Sequence, residues 1–554
     1  MALLAACATA PSTRSPAPSL AAPAAKPVPA DADVLAKLLA AQFALQDNDL
    51  GAGAHGFAEA ALLSGDPGIA EEATRLALTT KDWPLARESL ARWQALAPRD
   101  PGVPQARAWI ALGEGKPDDA LTDLDALAAQ HDEQGWRLVA QTLLAAEDKA
   151  AAARLLERIA TPAHLADSEA SWVAVSQLAF KLGDKASAQR IADGAITRFH
   201  GGDAYAWSAR LAIDRGDKAA ARALYGEALK RHPDSSRLRG GYAALLADAG
   251  DDAAAARALA QGPQDDTTYA ARAAYAARAN DKPALSALYR ELDGDKNART
   301  GSRLFLLGQV AELIDKREDA LAWYREVAED DEHWFDAQTR EAVVLDQLGR
   351  TEQALAFLHQ LQAQTGEDSD QLGDAYLLEA DLLARKGRAA EARAAYARGL
   401  ETLPDDPRLL YARALLAAEE GDVASAERDL RQVIALKPDD AEALNALGYT
   451  LADRTDRHAE ALTLIERAIK LKPDEPAIID SLGWIRYRMG DLDGSLEELR
   501  RAYAKQADPE IAAHLGEVLW VKGERDEARR VWEQGRKKDA RNKALLETIR
   551  RLTT

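Results

Sequence analysis

Nine histidines (His55, His131, His164, His200, His232, His333, His359, His458 and His514) and one cysteine, Cys7, are the side chains of this sequence most suited to metal ligation or nucleophilic attack. Their spacing supports neither. No two histidines flank a glutamate at the separation a helical zinc site requires, and a lone cysteine makes no pair. The sequence has no Gly-x-Ser-x-Gly turn to expose a serine and no glycine-rich loop ending in Lys-Ser/Thr to cradle phosphates. Two acidic loops bear comparison with calcium sites. In Asp293-Gly294-Asp295-Lys296-Asn297 the next residue is Ala298, where a calcium loop needs its sharp-turn glycine. In Asp491-Leu492-Asp493-Gly494 the glycine comes two places early and the fifth-place ligand is missing. Both read as turns between helices. No catalytic residue, metal or cofactor is expected, and the chain reads as non-enzymatic.

What must position the side chains is helix. The 554-residue chain is too long for one core, alanine is abundant, and β-branched residues are sparse. With 70 Lys+Arg against 90 Asp+Glu the formal charge is −20, a balance that disfavours nucleic acid and anionic membrane surfaces. No run of about eighteen apolar residues occurs, so no membrane-spanning helix is expected.

A period decides the fold. The segment Pro407–Asp440 carries Leu410, Ala414, Gly421, Ala426, Leu430, Val433 and Pro438 at places four, eight, fifteen, twenty, twenty-four, twenty-seven and thirty-two. Small residues at eight and twenty let two helices approach, glycine at fifteen reverses the chain, and proline at thirty-two stops the second helix. The frame returns with Leu447-Gly448, Ala461, Ala468 and Pro473, with one extra residue in the Asp453–His458 turn. It returns again with Leu482-Gly483, Gly490 and Leu499, and then with Leu515-Gly516, Gly523, Ala528 and Trp532.

Further turns are expected at Asn48, Lys81, Gly115, Glu147, Gly183, Gly216, Gly250, Asn280, Lys316, Gly349 and Gly387. The fifteen turns from Asn48 to Gly523 lie on average about 33.9 residues apart, against a tetratricopeptide (TPR) period of 34. The pattern is similar to TPR repeats and implies an all-α solenoid, a right-handed superhelix of antiparallel helix pairs without sheet. Ala426, Leu430, Ala461, Leu499 and Trp532 should lie inside. Residues 31–292 read as a degenerate array, 293–541 as a regular one, and 542–554 as a capping helix and tail.

The beginning of the chain is of another kind. Leu4-Ala5-Ala6-Cys7 resembles the lipobox of bacterial lipoproteins, which implies acylation of Cys7 and makes residues 1–7 a shortened signal. Residues 8–30 carry Pro11, Pro16, Pro18, Pro23, Pro27 and Pro29 and read as an extended tether. Ala8 after the cysteine, rather than aspartate, resembles the outer-membrane sorting pattern. A lipid-anchored protein on the periplasmic face of the outer membrane is expected.

In a TPR array the first helix of each pair lines the concave face. Its places two, five, nine, twelve and thirteen hold Asn445, Tyr449 and Asp453, then Asp480, Trp484, Tyr487 and Arg488, then Glu517 and Trp520. Aromatic and arginine side chains on one face have the make-up of a protein-binding surface. An alternative is that Trp484 and Trp520 pack adjacent first helices together. The lysine and asparagine of a chaperone-type carboxylate clamp are missing, since place five is Asn445 and place nine Tyr449.

The stretch Ala443–Arg530, above all Asp480–Trp484 (DSLGW) and Ala513–Trp520 (AHLGEVLW), resembles the C-terminal repeats of large TPR outer-membrane lipoproteins, the LbcA-type adaptors of carboxyl-terminal-processing (Ctp-type) periplasmic serine proteases. That resemblance implies two kinds of partner, a Ctp-type protease and the cell-wall hydrolases delivered to it. The alternative is an assembly scaffold for a pilus secretin or an exopolysaccharide export complex, whose less regular repeats fit this period worse.

Overall fold

The structure, a computed structural model, describes residues 29–130, 133–165, 167–295, 299–365 and 368–553. Within them 31 α-helices follow one another from Pro29–Gln46 to Lys543–Thr553, and no strand occurs among the described residues. Up to the helix Asp252–Leu259, and again from Lys282–Gly294 onward, consecutive helices pack on one another, the α-solenoid that the period predicts. Cys7, and the tether up to residue 28, lie outside the described residues. The first helix starts at Pro29, inside the last two residues assigned to the tether, because proline is tolerated in a helix's first turn.

The turn within each pair has a recurring chemistry. In eight of the pairs a residue with positive φ ends the first helix and an aspartate right after it opens the second. Gly421 has φ 81°, and the Asp422 carboxylate accepts from the Ser425 N–H at 3.1 Å. Gly183-Asp184 and Gly490-Asp491 repeat the arrangement, with bonds of 2.9 Å to Ser187 N–H and Gly494 N–H. Asp491 is thereby spent as a helix cap, which accounts for the calcium-like look of its loop.

Twelve of the fifteen expected turn residues have positive φ: Asn48, Lys81, Gly115, Gly183, Gly216, Gly250, Asn280, Gly349, Gly387, Gly421, Gly490 and Gly523. The turn placed at Lys316 is made by Asp315 instead, at φ 62°. The Glu147 turn closes without a positive φ, as does that of Asp453–His458. In the latter the extra residue does the work. Thr455 is extended, its hydroxyl donates to Leu451 O at 2.6 Å, and it accepts from Arg457 N–H at 3.1 Å. Because a left-handed backbone costs a side chain about 1–2 kcal/mol, Gly421→Ala should lower stability by about that much in chemical denaturation. Thr455→Ala, at a turn of ordinary backbone, should lose only about 1 kcal/mol through its hydrogen bonds.

The pairs close tightly where glycine stands at place eight. A Cβ on Gly483 would lie 2.6 Å from Leu499 Cγ, and one on Gly448 2.6 Å from Ile465 Cγ1. Ala426, Leu430, Ala461 and Leu499 are fully buried and Trp532 nearly so, as the frame requires.

The chain divides into two compact units, one ending at Tyr275 and one beginning at Ala276, within the helix Asp266–Arg278. The change from degenerate to regular repeats read from the sequence falls later, between residues 292 and 293. In the second unit the core is a succession of clusters. One runs from Leu355 to Ile485, and another from Leu496 to Leu545. The last helix, Lys543–Thr553, buries Leu545 completely and packs Ile549 and Leu552 onto the second cluster.

Candidate protein-binding face

Three first helices, Ala441–Arg454, Pro476–Arg488 and Pro509–Lys522, lie side by side, and Lys543–Thr553 covers the last of them. The repeat sets this order, since each first helix meets the next one a period along the chain. Most of the nine expected face residues come together here, in three polar links that cross from helix to helix.

His514 forms the first link. Its Nδ1 is 2.8 Å from Asp480 Oδ2, and its Nε2 is 3.2 Å from the Tyr449 hydroxyl. The imidazole also stacks on Trp484, with ring centroids 4.3 Å apart and planes 26° from parallel. In the second link the Trp484 indole N–H donates to Asp453 Oδ1 at 3.3 Å, while Arg488 donates to the Asp453 carbonyl at 2.8 Å. In the third, the Tyr487 hydroxyl donates to Glu517 Oε1 at 3.2 Å, and Arg551 donates to Glu517 Oε2.

Burial changes the meaning of some of these residues. Trp484 is 7% exposed, and Asp480 and Glu517 are also buried. Trp484 follows the second of its two readings, packing between adjacent first helices: its place on the helix is covered by the next first helix, whose His514 takes up the indole face. Tyr449, Asp453, Tyr487 and Arg488 remain partly exposed. Trp520 stands apart from the links. Its ring lies under the Arg525 and Arg529 guanidinium groups, at 4.9 and 5.4 Å, and 5.5 Å from Trp532. Asn445 makes no link; it lines a cavity, and its Oδ1 is buried without a hydrogen-bond partner.

Sequence reasoning missed His514 and Arg551. His514 occupies place six, off the five places that nominate the concave face, and Arg551 comes from the capping helix. The signal for His514 was its presence in the AHLGEVLW block, where the TPR pattern asks for no histidine.

Both ring nitrogens of His514 are spent on protein groups, which leaves neither for proton transfer to a substrate. Burial works against the imidazolium, but the Asp480 carboxylate, by its charge and hydrogen bond, holds the His514 pKa above the ordinary 6.5. Burial and the nearby Asp453 and Asp480 carboxylates push the Tyr449 phenol up. A histidine whose folded pKa exceeds its unfolded one adds stability that is complete below about pH 6.5 and disappears as pH rises through the folded pKa. The Tm advantage of the wild type over His514→Gln should therefore be largest in mild acid and shrink with rising pH. A difference that grows with pH would contradict the assigned pair.

Comparison with known proteins fits this architecture. Residues 208–266 and 411–476 match the tetratricopeptide-repeat family model. A TPR repeat-containing protein of Pseudomonas aeruginosa is 45% identical over 213 residues, which are 38% of this chain and 35% of that protein. Bacteriophage adsorption protein A of Escherichia coli is 36% identical over 81 residues, 15% of this chain and 8% of its own length. The chain thus spans about a third of the first relative and a small part of the second. Among solved structures, a thermophilic TPR protein of Thermus thermophilus aligns with 33% of this chain and 100% of its own, at 22% identity and a TM-score of 0.30. The chain carries tetratricopeptide repeats, units that in general serve as non-catalytic scaffolds for protein partners.

Proposed function

We propose that this protein is an adaptor that holds a Ctp-type periplasmic protease and its cell-wall hydrolase substrates on one array and so speeds their proteolysis. The observation that carries the reading is the cross-linked face of the three first helices. The DSLGW and AHLGEVLW blocks exceed what TPR packing requires, and their extra residues, Asp480, Trp484, His514 and Glu517, build that face. A stiff surface loses little freedom on binding, which favours affinity. The adaptor needs no chemistry of its own. Holding two proteins together raises their effective concentration to the millimolar range.

The test uses the purified full chain, a Ctp-type protease and a folded cell-wall hydrolase. The chain alone should leave the hydrolase intact, and with the protease it should accelerate cleavage. Large excess should inhibit, by placing protease and substrate on different scaffolds. No acceleration at any ratio would defeat the reading. Recovery of a secretin or polysaccharide-export subunit in place of a protease, on capture from periplasmic extract, would favour the assembly-scaffold alternative.

Anchoring belongs to the same proposal. Acylation of Cys7 would hold the array at the periplasmic face of the outer membrane, since lipoprotein maturation adds the more than one chain that stable attachment requires. Cys7→Ser in the full precursor should move the protein from the membrane fraction to the soluble one. A substituted protein that still sediments with outer membrane would contradict the anchor.

A further inference from the structure

The three first helices, with Tyr411 of the preceding first helix Pro407–Glu419, line an open cavity of about 430 Å³. Four carboxylates line it, those of Glu475, Asp480, Asp508 and Glu510, and no lysine or arginine does. Part of this charge has an ordinary explanation, because acidic residues at helix N-termini complement the helix dipole. Asp508 caps its helix, accepting from the Glu510 N–H at 2.8 Å. Glu475 stands at the same position of the helix before it and makes no capping bond. Partial withdrawal from water, then the charge of Asp508, pushes the Glu510 carboxyl above its usual range, while His514 on the same wall pulls it the other way.

Helix capping leaves one observation unexplained. Asp480, more than nine-tenths buried, has one oxygen on His514 and the other, Oδ1, without any partner. Asn445 Oδ1 is likewise buried and unpartnered, and both residues line the cavity. Two buried acceptors left empty in an acidic cavity call for a donor carrying positive charge. Tyr411 and Tyr449 supply aromatic surface beside them.

We propose that this cavity binds an arginine side chain of a partner protein. A guanidinium offers five donors in a planar fork, enough for Asp480, Asn445 and the outer carboxylates Glu475 and Glu510 together. It is also weakly hydrated and stacks on aromatic rings, which suits the flanking tyrosines. A lysine ammonium or a chain's amino terminus is a compact, strongly hydrated charge that uses the planar arrangement less well. The inference rests on the protein-binding reading above and not on the identity of the protease.

The probe is the peptide Ac-Gly-Ser-Arg-Ser-Gly-NH2, titrated into the full chain by calorimetry and by NMR of the His514 ring and the Trp484 indole. Three companions replace arginine by citrulline, replace it by lysine, or carry a free amino terminus and no basic side chain. The arginine peptide should bind at one site and move both signals, and citrulline should weaken it at least about tenfold. Because the whole chain is acidic, Glu475→Gln combined with Glu510→Gln provides the local control. Both residues stand at the exposed rim of the cavity, and their replacement should weaken the arginine peptide several-fold without changing the fold. Equal binding of the citrulline peptide, no binding up to about 10 mM, or indifference to the double substitution would overturn the site. Equal or tighter binding of the lysine or free-amine peptide would overturn the arginine assignment. No protease takes part, so failure here leaves the adaptor reading to its own test.

Discussion

Leu499→Ala is expected to destabilise the second unit by about 2–5 kcal/mol. Leu499 is fully buried in the second helix of its pair, directly against Gly483 of the first. Truncation removes apolar contact and leaves a cavity where two backbones are already at close approach, so little can move in to fill it. Leu471→Ala is the matched control, because Leu471 is 43% exposed and its loss should cost less than about 1 kcal/mol. Stability in an array is a sum over neighbours, and the damage should spread to adjacent pairs as local opening. Denaturant titration would measure the size, and hydrogen exchange the spread. Undiminished protection of the helices Pro476–Arg488 and Leu492–Lys505 would contradict the assignment.

Removing residues 543–554 should cost as much or more, and for two separable reasons. The first is apolar: Leu545 is fully buried, and Ile549 and Leu552 cover the cluster beneath, worth about 1.5–3 kcal/mol for Leu545 alone. The second is electrostatic. Glu517 is 3% exposed and bound by Arg551, and deletion strands its carboxylate. Breaking a fully buried pair costs about 3–5 kcal/mol. The loss here should be smaller, since the Arg551 side chain is 57% exposed. Glu517→Gln in the shortened chain should recover part of the lost stability, because the amide carries no charge and can still accept from Tyr487. If that substitution recovers nothing, the electrostatic share is negligible and the cap works by apolar cover alone.

The two experiments probe parts of the molecule that differed in how readily the sequence could be read. Leu499 and Gly483 were legible together, since a large residue at place twenty-four and a small one at place eight are the two sides of one helix contact. The Glu517–Arg551 pair was not. Glu517 appeared on the expected face, and Arg551 stands one period, 34 residues, further on, but its helix reads as a cap outside the last repeat and so has no places on the frame. Turns were read well wherever glycine or asparagine marked a left-handed backbone. They were misread by one residue at Lys316, where an aspartate takes that conformation, and the frame has no symbol for that.

By itself the sequence determined the helices, their pairing and the residues that close each pair. All of these follow from local rules: a residue that tolerates positive φ, an aspartate cap, and apolar side chains repeating with the turn of the helix. Only the tertiary structure decided which face residues are free and which are spent. Trp484 and Trp520, at places nine and twelve, are both tryptophans of the expected face. One is enclosed because the His514 ring of the next repeat stacks on it, and the other stands among arginines of its own pair. The acidic cavity has the same origin: Tyr411, Asn445, Asp480 and Glu510 come from four repeats, and only the side-by-side packing of first helices brings them together. Burial and partner choice depend on distances between segments remote in the chain, and a periodic pattern specifies that repeats stack without specifying which side chains meet across the stack.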